Sequence, residues 1–146
     1  MEALIASALL WKNGLGTYDE YNKILDEKFL QNPDSAILLE LEWCSSDCDK
    51  TFSIINNFWH NEYYQSFNAD RFGEKLFSGL ESVYMAHSVS IDEFGRCCYQ
   101  LWNCLPAEIN QIEPFWTLGY ADDCLSYGDE MQSRKLYEKA FLFYKL

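Results

Sequence analysis

The stretch Ser90–Trp102, SIDEFGRCCYQLW, sets the reading of the whole chain. Ser90 followed three residues later by Glu93 is a capping box, in which a hydroxyl and a carboxylate serve the unpaired amides that open a helix. Ile91, Phe94, Cys98, Leu101 and Trp102 then recur at spacings that place them on one helical face, where a strand would alternate. Pro106 ends the run, because a proline ring and its missing N–H do not continue a helix.

The same grammar extends in both directions. Upstream, Glu2 to Asn13 is a first helix with Leu4, Ala8 and Trp11 on one side, stopped by Gly14 and Gly16. Thr17 with Glu20 is another capping box, and Tyr18, Tyr21, Leu25 and Phe29 form the stripe that follows. Asn32-Pro33 is a break and a restart: Asn32 can cap, and Pro33 suits the first helical position. That third helix carries Ile37, Leu38, Leu41 and Cys44. Ser46 or Asp47 then caps a fourth, through Phe52, Ile55, Phe58 and Trp59. From His60 to Phe72 the period is weak, and a helix or an ordered loop both fit. The pattern returns at Gly73 with Leu76, Phe77, Leu80 and Tyr84.

Downstream, Pro114 starts a helix carrying Phe115, Leu118, Ala121 and Leu125. Gly128-Asp129 is a turn, and Leu136, Tyr137, Ala140, Phe141 and Tyr144 mark a last helix. The expectation is an all-α fold of about eight helices in antiparallel hairpins, bundled or stacked like a short solenoid. Leu38–Leu41 and Ser53–Ile55, taken alone, pass for strands, so a small mixed sheet is the competing fold.

A chain of 146 residues reads as one helical domain, 1–146. Aromatic residues make up 17%, more than a disordered chain carries. The net charge of −12 disfavours nucleic acid and anionic lipid as partners, since both demand clustered Lys and Arg. It favours a basic partner, or serves solubility alone. Six cysteines lack any Cys-x-x-Cys pair and read as small buried hydrophobes rather than a disulfide framework. Glu2 stands where a signal peptide is positive, and no run is long enough for a bilayer, so the expected location is the cytoplasm.

Catalytic and metal-binding patterns are sparse. The two histidines, His60 and His87, lie far apart and lack the close ligand pairs of a zinc site. His60 reads as an aromatic neighbour of Trp59, and His87 as a residue near a helix end. A nucleophilic cysteine needs an electropositive setting that this acidic chain does not offer. There is no phosphate-binding glycine loop and no Gly-x-Ser-x-Gly elbow. Adjacent acids such as Asp92-Glu93 point apart on a helix and serve its dipole instead. The expectation is a protein without enzymatic activity, metal or cofactor.

The informative feature is where bases are missing. From Phe29 to Asp49 lie five acids, Asp34, Glu40, Glu42, Asp47 and Asp49, with no Lys or Arg. Between Cys97 and Ser133 lie Glu108, Glu113, Asp122, Asp123, Asp129 and Glu130, again with no base. The second window also holds Trp102, Phe115, Trp116, Tyr120 and Tyr127. Aromatic anchors within one-signed charge suit a protein-binding surface. The candidate partner-binding residues are therefore Glu113, Trp116, Tyr120, Asp122, Asp123, Tyr127, Asp129 and Glu130. A solvated acidic face over core aromatics is the competing reading.

Two resemblances add expectations. Trp116, Leu118, Gly119 and Ala121, the Gly128-Asp129 turn, and Tyr137, Glu138, Lys139, Ala140 and Phe141 resemble a tetratricopeptide repeat or its more variable Sel1-type relatives. Trp116 stands one residue too close to Leu118-Gly119, and the turn comes about two residues late. This resemblance covers the last third and implies a helical-repeat adaptor or chaperone that holds a peptide. The whole chain is similar in profile to immunity proteins of bacterial toxin systems, which are small, acidic, aromatic-rich and without catalytic residues. That resemblance implies neutralisation of one cognate, basic toxin domain by occlusion.

Overall fold

A computed structural model describes residues 1–145 and is all-α, with no strand among them. Its helices are α1 (Glu2–Lys12), α2 (Tyr18–Gln31), α3 (Ala36–Trp43), α4 (Cys48–Phe58), α5 (Ala69–Ala86), α6 (Ile91–Asn103), α7 (Ala107–Asn110), α8 (Thr117–Ser126) and α9 (Glu130–Leu142). A single π-helical turn, Trp59–Tyr63, continues α4, and a 3-10 turn, Phe143–Lys145, follows α9. The extra helix beyond the expected eight is the four-residue α7, between Pro106 and Pro114. Leu38–Leu41 and Ser53–Ile55 lie within α3 and α4, so the mixed sheet does not form.

Side chains start most of the helices. The Glu20 amide donates to the Thr17 hydroxyl at 3.2 Å, and the Glu93 amide to Ser90 at 3.1 Å. Asp47, not Ser46, caps α4, accepting from the Lys50 amide at 3.0 Å. Each such cap satisfies one of the amides a helix start leaves unpaired.

Three predicted starts move. Helix α3 begins at Ala36 with Ser35 as its cap, three residues beyond Pro33. The Ser35 amide instead closes a turn onto the Asn32 carbonyl at 3.1 Å, so Pro33 sits inside that turn. Helix α8 begins at Thr117 rather than Pro114, because Thr117 and Leu118 donate three residues back, to Pro114 and Phe115, in a tighter turn. In the ambiguous segment, the π turn gives way to a hydrogen-bonded turn at residues 64–66, and Asn68 caps α5, which starts at Ala69, four residues before Gly73. His87 closes α5 with φ of 53°, in the left-handed region.

The core is built around α1. Leu4, Ile5, Ala6, Ser7, Ala8, Leu9 and Leu10 are consecutive and all buried, so this helix has almost no solvent face. It packs on α2, α4 and α5 at once. A helix apolar on every side belongs inside a protein, and the one-sided stripe read from Leu4, Ala8 and Trp11 is too narrow. Glu2 is buried as well and accepts a hydrogen bond from the Tyr63 hydroxyl, which ties the π turn to the start of α1.

A second group forms where α6 packs on α8 and α8 on α9. Gly119 lets α8 meet α6 closely: a Cβ there would lie 3.1 Å from the Trp102 ring. Trp102 has little freedom to retreat, since its indole N–H donates to the Asn110 carbonyl at 2.8 Å. Helix α5 joins the two groups through α9 and through aromatic contacts, with Phe72 stacked on Phe115 at 5.9 Å. No helix among the described residues is long and apolar enough to cross a membrane.

Leu9 is fully buried in α1. Leu9→Ala should cost about 3 kcal/mol, the sum of lost transfer energy and an unfilled cavity. Urea unfolding of the two proteins measures this directly; a loss below about 1 kcal/mol would remove α1 from the centre of the fold's energetics.

Candidate functional site

The longer base-free window maps onto one side of the second helical group. Trp116 immediately precedes α8, and Tyr120, Asp123 and Tyr127 follow at spacings of four, three and four. These intervals place all four along one helical face. Trp116 is half-buried, while Tyr120 is 48% and Tyr127 89% exposed. Trp116 and Tyr120 lie with ring centroids 5.5 Å apart. The opposite face of α8, with Leu118, Ala121 and Cys124, is buried. Helix α8 therefore presents a ladder of aromatic rings outward with Asp123 exposed among them.

The acids named from the sequence divide by environment. Glu113 and Asp123 are exposed, and neither has an ion-pair partner among the described residues. Asp122 is half-buried, near Gly95 of α6. Burial, followed by repulsion from Asp123 and Asp92, holds its carboxyl above the usual range. Asp129 caps α9, accepting from the Gln132 amide at 3.0 Å. Glu130 pairs with Arg134 at 3.0 Å, so its charge meets a counter-charge on its own helix. Gly128, with φ of 80°, makes the turn between α8 and α9 in a conformation that suits glycine. The structure thus gathers Glu113, Trp116, Tyr120, Asp123 and Tyr127 as an outward surface. It gives Asp129 and Glu130 structural partners and half-buries Asp122 against Gly95.

The shorter window forms part of the α2–α3 hairpin. Trp43 is 84% exposed, and Leu39, one turn earlier on α3, is partly exposed as well. Glu42 faces Asp26 of α2. Burial first, then the hydrogen bond and repulsion from Asp26, push the Glu42 carboxyl up to about 7.

Two clefts went unnoticed in the sequence. The larger, about 920 Å³, runs between α3 and α4 and is lined by Ile37, Glu40, Phe52, Asn56, Asn57 and Asn61. Lys12 reaches its edge, where it pairs with Asp49 at 2.8 Å and lies over the Phe52 ring at 5.8 Å. The smaller, about 420 Å³, lies where the π turn meets α7. Its residues come from two separate segments, 59–69 and 106–112, so no local pattern announced it. The weak period after His60 was the one available sign.

No group of three or more His, Cys, Asp or Glu among the described residues is placed to hold a metal ion. His60 lies beside Trp59, with ring centroids 5.8 Å apart. Cys98 is completely buried, and burial pushes its thiol well up, away from the nucleophilic thiolate. Fold and surface together define an all-α protein with an outward acidic and aromatic face. No family model, curated protein or solved structure matches the chain.

The Glu42 value sets a direction for stability against pH. A carboxyl raised in the folded chain keeps its proton after the unfolded chain has lost it. Its stabilising contribution is complete below the ordinary carboxylate range and is lost as pH rises through about 7. Stability should therefore fall between about pH 5 and about pH 7, and Glu42→Gln should flatten that fall. Denaturant midpoints of both proteins across that range check it; parallel profiles would assign the slope to other groups.

Proposed function

We propose that this chain is an immunity or antitoxin-type protein that binds a cognate, basic toxin domain and neutralises it by occlusion, without turnover. The observation that carries the reading is the outer face of α8: Trp116, Tyr120 and Tyr127 as exposed or half-exposed rings around the unpaired Asp123. Glu113 lies just before it, and the surrounding window from Cys97 to Ser133 holds no base. Large aromatics supply contact area at low entropic cost and dominate binding where they become buried. Unpaired acids attract a basic partner over long range and accelerate encounter.

A second reading, a helical adaptor that holds a peptide, is favoured by one observation. The α3–α4 cleft of about 920 Å³ presents Asn56 and the mutually hydrogen-bonded pair Asn57 and Asn61, whose remaining amide groups are able to serve an extended backbone.

The test begins with capture of partners from host lysate, followed by kinetics on the captured protein. A single basic partner released by salt is expected. The double variant Glu113→Gln/Asp123→Asn should slow its association several-fold at low salt and weaken the salt dependence. Tyr127→Ala should speed dissociation by about tenfold or more, as loss of a central anchor does. Asp129 stays intact in these variants, because removing a helix cap costs about 1 kcal/mol of stability by itself. Unchanged on-rate and salt dependence would remove this face from the interface. Several unrelated partners sharing one short segment, displaced by that peptide, would favour the adaptor.

A further inference from the structure

The 420 Å³ pocket adjoins the acidic, aromatic face without being part of it. Its lining includes Trp59, His60, Tyr64, Phe67, Ile109 and Ile112, with Glu108 as its carboxylate. Trp59 is 1% exposed and forms the floor, held by Phe67 at 5.0 Å and Phe72 at 5.2 Å between ring centroids. Tyr64 and Ile112 are about half exposed and stand at the mouth. The volume lies in the range of sites that take a small ligand or a single anchoring side chain.

The backbone links pocket and face. The Trp116 amide donates to the Ile112 carbonyl at 3.1 Å, so the pocket rim and the first ring of the α8 ladder lie one turn apart. Below the surface, Trp59, Phe72 and Phe115 form an unbroken aromatic chain between the two. The π turn places this floor. Such a turn interrupts the regular helix ladder and recurs at functional sites.

We infer that this pocket receives an arginine side chain of the basic partner, an assignment that rests on the toxin-binding reading above. Trp59 is covered, so the rings open to a ligand are Tyr64 at the mouth and the half-buried Phe67, and an electron-rich ring attracts a cation positioned over its face. A planar guanidinium stacks on such rings and forks onto a carboxylate, which a compact ammonium does less well. Glu108 supplies that carboxylate, and among the described residues no Lys or Arg lines the pocket, where His60 is the basic side chain. The base-free window that begins at Cys97 includes Glu108, so nothing nearby on that segment opposes an incoming positive charge.

The test is a titration of the full-length, isotope-labelled protein with N-acetyl-arginine methylamide, followed by NMR. Saturable shifts confined to Trp59, Tyr64, Ile109, Ile112 and their neighbours are expected. Glu108→Gln and Tyr64→Ala should each weaken the probe about three- to fivefold, and both sites are exposed enough to leave the fold intact. The matching leucine and lysine compounds should bind more weakly. Equal binding by the leucine compound with no loss in Glu108→Gln would overturn the assignment in favour of a plain apolar pocket. Equal binding by the lysine compound would overturn the choice of arginine, and absence of saturation would overturn the site. The probe needs no toxin, so success here with no basic partner captured from lysate would discard the toxin reading and keep the pocket.

Discussion

The fold depends on burying a helix that has no polar side. Residues 4–10 of α1 are inaccessible all round, and three other helices must surround them. Water cannot cover that surface without a large hydrophobic penalty. Helices α2, α4 and α5 are therefore held against α1. The Tyr63–Glu2 hydrogen bond adds the π turn to the same assembly, since a buried carboxylate without a donor would be costly. The pocket floor at Trp59 is a consequence of this packing.

The second group obeys a different constraint. Helices α6 and α8 approach where Gly119 admits the Trp102 ring, and Gly95 lies against Leu125 and Asp122 in return. Close approach through small residues leaves little tolerance for rotation of α8. Its buried residues, Leu118 and Ala121, point to the core, and its rings at positions 116, 120 and 127 must face away. The outward ladder is therefore set by the inward packing. Aromatic residues are divided accordingly: Phe115 and Tyr137 are fully buried, while Tyr120 and Tyr127 meet solvent.

Charge follows the same division. Acids that start helices or meet a counter-ion, such as Asp129 and Glu130, have local structural partners. Glu113 and Asp123 have no ion pair among the described residues, and they flank the exposed rings. A net charge of −12 spread evenly would say little beyond solubility. Here acids without an ion pair among the described residues stand next to exposed rings on one side of the second helical group.

Local signals in the sequence determined the helical class and most helix starts. Caps at Thr17, Asp47 and Ser90 act through a hydroxyl or carboxylate within three residues of the amide it serves, so neighbours in sequence suffice. The starts of α3 and α8 moved because prolines 33 and 114 fit a turn as readily as a first helical residue, and the local letters do not separate the two. The window without bases was legible as composition, but its sorting was not. Whether Trp116 or Phe115 faces water depends on which side of α8 meets α6, and whether an acid is free depends on what folds beside it. The clefts joined segments up to about fifty residues apart in the chain. Only tertiary packing decided these matters, because burial and proximity belong to pairs of helices and not to any one stretch of sequence.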